Sequence, residues 1–158
     1  MDITKGLPFA DVSADAVYAS HVLEHLYRED AIALLSECHR ILKPEGVIRL
    51  VLPDLRHMVA RYLSDDHPES AIRFNIDLLM RDSQAPAGLI GWLKHLFADH
   101  HSHKFMYDAP LLKRDLEMAG FREVDQHLYL DSRIPEIADV ERSGRVLNGA
   151  GFIVEAKK

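Results

Sequence analysis

The 158-residue sequence predicts an α/β fold with a mostly parallel sheet of about four strands. Three observations predict it. Two short apolar runs, residues 16–20 and 47–52, have the length and composition of strands buried on both faces. Between them, residues 28–43 carry apolar side chains at helical spacing, so strand, helix and strand form one parallel βαβ unit. Two further strand patterns, 121–129 and 151–156, follow a largely helical middle.

Each element has its own signal. Residues 2–15 read as a loop, punctuated by Gly6, Pro8 and Ser13. In the helix, Ala31, Leu34, Leu35, Cys38, Ile41 and Leu42 make one apolar stripe at spacings of three and four. Glu29 and Asp30 lie at its start and Arg40 and Lys43 at its end, as the helix dipole favours. Pro44 and Gly46 stop it, and Pro53 closes the next strand. Residues 55–108 form a helical insert: Leu55, Met58, Val59 and Tyr62 mark one face, and Ile72, Ile76, Leu79 and Met80 another. Pro86 and Gly88 break the run before a further helical piece over 89–98. Asp108 or Ala109 caps a helix that ends at Gly120. Residues 134–149 are a polar connection of undefined shape. A single domain spans 1–158.

Composition limits the function classes. With 47% hydrophobic residues the chain has enough material for a core. A net charge of −6 argues against a nucleic-acid backbone as main partner, which needs a basic face. No run is long and apolar enough to span a membrane, and the single cysteine, Cys38, fits a reducing, cytoplasmic setting.

Two metal patterns are weighed and set aside, so no metal ligands are expected. His21-Val22-Leu23-Glu24-His25 matches the H-x-x-E-H spacing of zinc peptidases, but that chemistry needs a fully helical motif and a third ligand. His95, His100, His101 and His103 lack ordered ligand spacing and read as a solvated patch at a helix end. Cys38 falls on the apolar stripe and reads as core.

The ordered segments Leu7-Pro8-Phe9-Ala10-Asp11, Asp15-Ala16-Val17-Tyr18, His21-Val22-Leu23-Glu24-His25, Arg40-Ile41-Leu42-Lys43-Pro44 and Val51-Leu52-Pro53-Asp54 resemble the type-11 class I methyltransferases that use S-adenosylmethionine (SAM). More narrowly, they are similar to the predicted methyltransferases of surface-polysaccharide gene clusters. His103-Lys104-Phe105-Met106-Tyr107 and Leu116-Glu117-Met118-Ala119-Gly120-Phe121 extend the likeness.

The resemblance implies a Rossmann-like methyltransferase fold and SAM as cofactor. It places Asp2 and Ile3 against the adenine, and Ala19, Ser20 and His21 around the methionine end of SAM, beyond the carboxyl end of a strand. His21 is then the candidate general base for an acceptor hydroxyl; the competing reading makes it a structural hydrogen-bonding group. Glu24, His25, His103, Lys104 and Tyr107 are candidates for facing the acceptor, a small molecule or a sugar-containing compound, with Glu24 and His25 also read as capping groups of the following helix.

Two parts of the family pattern, the glycine-rich first turn and the acid that holds the ribose, have no match here. The expectation is an N-terminally truncated version of the fold. Glu45 also stands where the family's turn has glycine. In the family sheet the fourth strand lies between the first and the fifth, so the strand at 16–20 is expected to have a bare apolar edge. Three outcomes are open for that edge: pairing with a second copy, cover by a rebuilt segment, or a sequence that is part of a longer chain; a homodimer through the edge is the expected one. The alternative function is a non-catalytic methyltransferase-fold module acting in dimerisation or interaction.

Overall fold

A computed structural model describes residues 6–78 and 102–158, without the side chains of 147–149. Four strands form one sheet: β1 (Ala14–Ser20), β2 (Leu42–Pro53), β3 (Arg122–His127) and β4 (Gly151–Lys157), in the order β1-β2-β4-β3. The helices are α1 (Arg28–Ile41), α2 (Leu55–Leu63), α3 (Ser70–Asp77) and α4 (Ala109–Met118). Three 3-10 segments, Leu23–His25, Ile137–Asp139 and Ser143–Gly149, shape the connections.

The expected βαβ unit is present: β1 and β2 pair in parallel, joined by α1. In detail the sheet is mixed rather than purely parallel. β4 runs antiparallel to both β2 and β3, so β1, β2 and β3 point the same way with β4 inserted against them. The long connection from β3 brings the chain back at the carboxyl end of β2, and a strand that starts there must run in the opposite direction.

β2 begins earlier than its apolar run, because the turn at 43–46 is absorbed as a bulge. Register jumps from Ala14 opposite Leu42 to Ala16 opposite Val47. Glu45 takes φ 65° in this bulge, the conformation that the family's glycine would adopt without strain. A Cβ on Gly46 would come within 2.8 Å of the Lys43 carbonyl oxygen, so only glycine fits there. α4 starts at Asp108, whose side chain accepts from the Leu111 N–H (3.0 Å), and Gly120 follows it at φ 98°.

Strand alternation sorts β2 into two faces. Ile48, Leu50 and Leu52 join Phe152, Val154 and Ala156 of β4 under α1 and α4, where Leu34, Leu35, Leu112 and Leu116 are buried. Arg49 points to the opposite face and is fully buried there. It donates twice to Glu141 (2.8 and 2.7 Å), once to Glu155 (2.8 Å), and to the carbonyls of Asp131 and Leu128. The connection left undefined by the sequence is thus a cover over the second face, held by one buried arginine.

The expected bare edge is present among the described residues: β1 is an outer strand whose only described partner is β2. An apolar groove of about 440 Å³ runs beside it, lined by Leu7, Phe9, Val17, Ala19, Val22 and Leu34 among others. In the insert, Met58 is buried but α3 buries no residue, and Ile72 and Ile76 are exposed. Leu79, Met80, Pro86, Gly88, the helical piece over 89–98, and His95, His100 and His101 lie outside the described residues. No helix of the described residues is long and apolar enough to cross a membrane.

Candidate functional site at the carboxyl end of the sheet

Because β1, β2 and β3 run the same way, their carboxyl ends converge on one rim, and the chain changes direction there. His21 follows β1 directly. Its backbone N–H donates to the Val51 carbonyl (3.0 Å), extending the β1–β2 ladder, and its φ of 56° then turns the chain out of the sheet. A non-glycine residue in that region carries strain of about 1–3 kcal/mol, which typically persists where surrounding contacts enforce it.

Those contacts are visible. The His21 Nε2 donates to the Arg145 carbonyl (2.6 Å), and Nδ1 lies 3.0 Å from Glu24 Oε1. The pKa of the ring is raised, chiefly by its hydrogen bond to Glu24. Both nitrogens face acceptors, so the ring favours the form that carries a hydrogen on each. A general base needs a nitrogen lone pair aimed at the substrate, and this ring offers none. These contacts favour the competing reading of His21, as a structural hydrogen-bonding group that fixes the end of β1.

Glu24 and His25 do not cap α1, whose N-cap is Tyr27 with no side-chain hydrogen bond. They form the 3-10 turn Leu23–His25 instead. The Glu24 carbonyl accepts from the backbone N–H groups of Lys104 (2.7 Å) and Phe105 (3.2 Å), which ties the turn to residues 102–107. The Glu24 side chain is 0% exposed; its Oε1 faces His21 Nδ1, and its Oε2 has no hydrogen-bond partner among the described residues. His25 and His103 meet edge to face, with ring centroids 5.0 Å apart, and burial lowers the pKa of His103.

The remaining expected acceptor-facing residues divide. Lys104 Nζ lies 5.4 Å from the centre of the Tyr27 ring. Tyr107 is 1% exposed and belongs to the core, with the Arg28 guanidinium against its ring and hydroxyl. Arg28 in turn pairs with buried Asp115. Tyr107 therefore holds α4 and α1 together, and the expectation that it faces an acceptor is corrected. Asp2 and Ile3 lie outside the described residues.

Next along the rim, a cavity of about 560 Å³ opens between the ends of β2 and β3 and the start of β4. Asp54, His127, Tyr129, Ser143 and Phe152 line it. Sequence reasoning missed His127 and Tyr129, since only the observed end of β3 shows that they reach the rim. Asp54 carried a signal as the residue closing a strand, but its carboxylate accepts from Arg56 N–H (2.9 Å) as the cap of α2.

Comparison with known proteins bears on this arrangement. Residues 1–50 match the family model described as a methyltransferase domain. No curated protein sequence matches the chain. Among solved structures, a SAM-dependent methyltransferase from Archaeoglobus fulgidus is similar at 19% identity and a TM-score of 0.50, over 95% of this chain and 62% of that one. A methyltransferase from Haloferax volcanii, solved in complex with its activator Trm112, is similar at 17% and 0.51, over 98% and 58%. Human N-acetylserotonin methyltransferase, solved with SAM, is similar at 15% and 0.50, over 98% and 32%. The chain thus spans less than two thirds of the length of each. It has the Rossmann-like fold of the class I methyltransferases.

The end of β1 presents buried polar groups. Ser20 Oγ and the hydroxyl of Tyr18, two residues earlier on the same face, are both buried and lie against each other, with no other hydrogen-bond partner among the described residues. Buried hydroxyls so short of partners are uncommon in folded proteins. A polar ligand end would satisfy them.

Proposed function

We propose that this chain binds SAM at the carboxyl end of β1 and takes part in methyl transfer to a small-molecule or sugar-containing acceptor. The observation that carries this reading is the end of β1 itself: Ser20 Oγ buried with only the Tyr18 hydroxyl beside it, followed by His21 in a strained conformation with its ring held at both nitrogens. Ala19 and Ser20 contact the amino-acid end of the cofactor, and His21 fixes the turn that shapes this contact. Asp2 and Ile3 belong to the adenine side. SAM supplies an electrophilic methyl group when bound.

What the protein adds is placement of an acceptor in line with that group. The 560 Å³ cavity beside Asp54, His127 and Tyr129 is of a size to take a sugar-like acceptor, and His25, His103 and Lys104 remain the further acceptor-facing candidates. Titration calorimetry with SAM, repeated on Ser20→Ala, tests the assignment: weaker binding in the variant supports it, and equal binding rejects the site.

The outer edge of β1 is where a partner belongs. An apolar strand edge beside an apolar groove favours pairing with a second copy of the chain, and a homodimer is the assembly we propose. The Haloferax volcanii relative has a separate activator, so a hetero-partner is the second candidate for the same edge. A cytoplasmic location belongs to the same reading.

A non-catalytic module is the second functional reading. It is favoured by His21, whose ring has no free lone pair for base chemistry. Binding of SAM with turnover of no acceptor would support it.

A further inference from the structure

We propose that Glu24, His25 and His103 form a binding site for a divalent metal ion of borderline character, with Zn²⁺ as the reference ion. One ligand atom from each of the three residues lies within 4.8 Å of the others. Two histidines and one carboxylate are a ligand set that zinc uses when it keeps a fourth position for water or substrate.

The protonation pattern suits ligation. His103 Nδ1 is buried and has no partner among the described residues, while its ring is hydrogen-bonded to the Leu78 backbone. His25 Nδ1 sits 3.4 Å from the Ser102 carbonyl, which directs a hydrogen to Nδ1 and leaves Nε2 with the lone pair. A metal-bound histidine commonly donates its other N–H to a carbonyl in this way. Glu24 Oε1 lies 3.0 Å from His21 Nδ1, while Oε2 is buried with no donor among the described residues, and a buried carboxylate oxygen without a partner is costly. A cation there removes that cost.

The scaffold is also tied together. The Glu24 carbonyl holds the N–H groups of Lys104 and Phe105, so the turn bearing Glu24 and His25 is bonded to the segment bearing His103. Metal–ligand bonds of 2.0–2.2 Å at tetrahedral angles need ligand atoms about 3.4 Å apart. Ligand atoms up to 4.8 Å apart must therefore draw in by at most about 1.4 Å on binding.

H-x-x-E-H spacing alone pointed elsewhere, because it pairs His21 with His25. Here His21 turns its nitrogens to Arg145 and Glu24, and the third ligand comes from 78 residues further along. The inference stands apart from SAM binding, and its test needs no cofactor.

The test is calorimetric titration of the metal-stripped chain with Zn²⁺. The expected result is one ion per chain at micromolar or tighter affinity, weakened at least about tenfold in Glu24→Gln and in His103→Gln. Binding should persist when His95, His100 and His101 are all changed to Asn. No stoichiometric binding overturns the proposal, as does binding lost in that triple variant but kept in Glu24→Gln. Circular dichroism checks that the variants fold. X-ray absorption on the zinc-loaded wild type decides independently: two imidazoles with otherwise oxygen ligands support the site, and a sulfur ligand or three or more imidazoles overturns it.

Discussion

Arg49 and Glu141 meet through two hydrogen bonds of 2.8 and 2.7 Å, although they stand 92 residues apart and both are buried. This pair fastens the cover over the second face of the sheet, and with it the Arg145 carbonyl that holds His21. Breaking a buried pair leaves an uncompensated charge. Glu141→Ala is expected to lower stability by about 3–5 kcal/mol, measured by urea unfolding. A loss under 1 kcal/mol would show that the cover is held by something else.

A second prediction concerns acid. Glu37 accepts from both Arg40 and the Leu7 N–H, which lowers its pKa from 4.5 to about 2. A carboxyl group depressed in the folded state stabilises fully above its unfolded value and loses that contribution as pH falls through the folded one. The stability difference between wild type and Glu37→Gln should be constant above about pH 5 and vanish near pH 2. A difference independent of pH would contradict the assignment.

Cys38 gives a third. Burial raises its thiol from 9.0 to about 11, which cuts the thiolate fraction about 100-fold. Reaction of the folded chain with a thiol reagent at pH 8 should be slower than in urea by at least about that factor. Equal rates would mean that α1 does not pack as described.

The outer edge of β1 gives a fourth. Native mass measurement at high concentration should find twice the 18.0 kDa chain mass, and Val17→Lys in the groove should return the monomer. A wild-type monomer at all concentrations would leave the edge to another partner.

The sequence made some of these features legible and hid others for physical reasons. The helix over 28–41 and the strands beside it were readable because burial imposes a period on side chains, and Asp108 and Gly120 marked α4 by capping chemistry. Strand direction has no such imprint, so the antiparallel β4 was not foreseen. Arg49 within an apolar run was a visible signal of a buried charge, but its partner depended on a long-range contact. Glu24 and His25 sat in a recognisable motif; His103 joined them only through the fold. Tyr107 was misplaced because its motif neighbours lie at the rim while its own side chain turns into the core.

The central claim is that the carboxyl end of β1 holds SAM, and titration with SAM and its demethylated product tests it most directly. The account predicts binding near micromolar, about −8 kcal/mol, weakened at least about tenfold by Ser20→Ala. No binding up to millimolar ligand, or binding indifferent to Ser20, would contradict it.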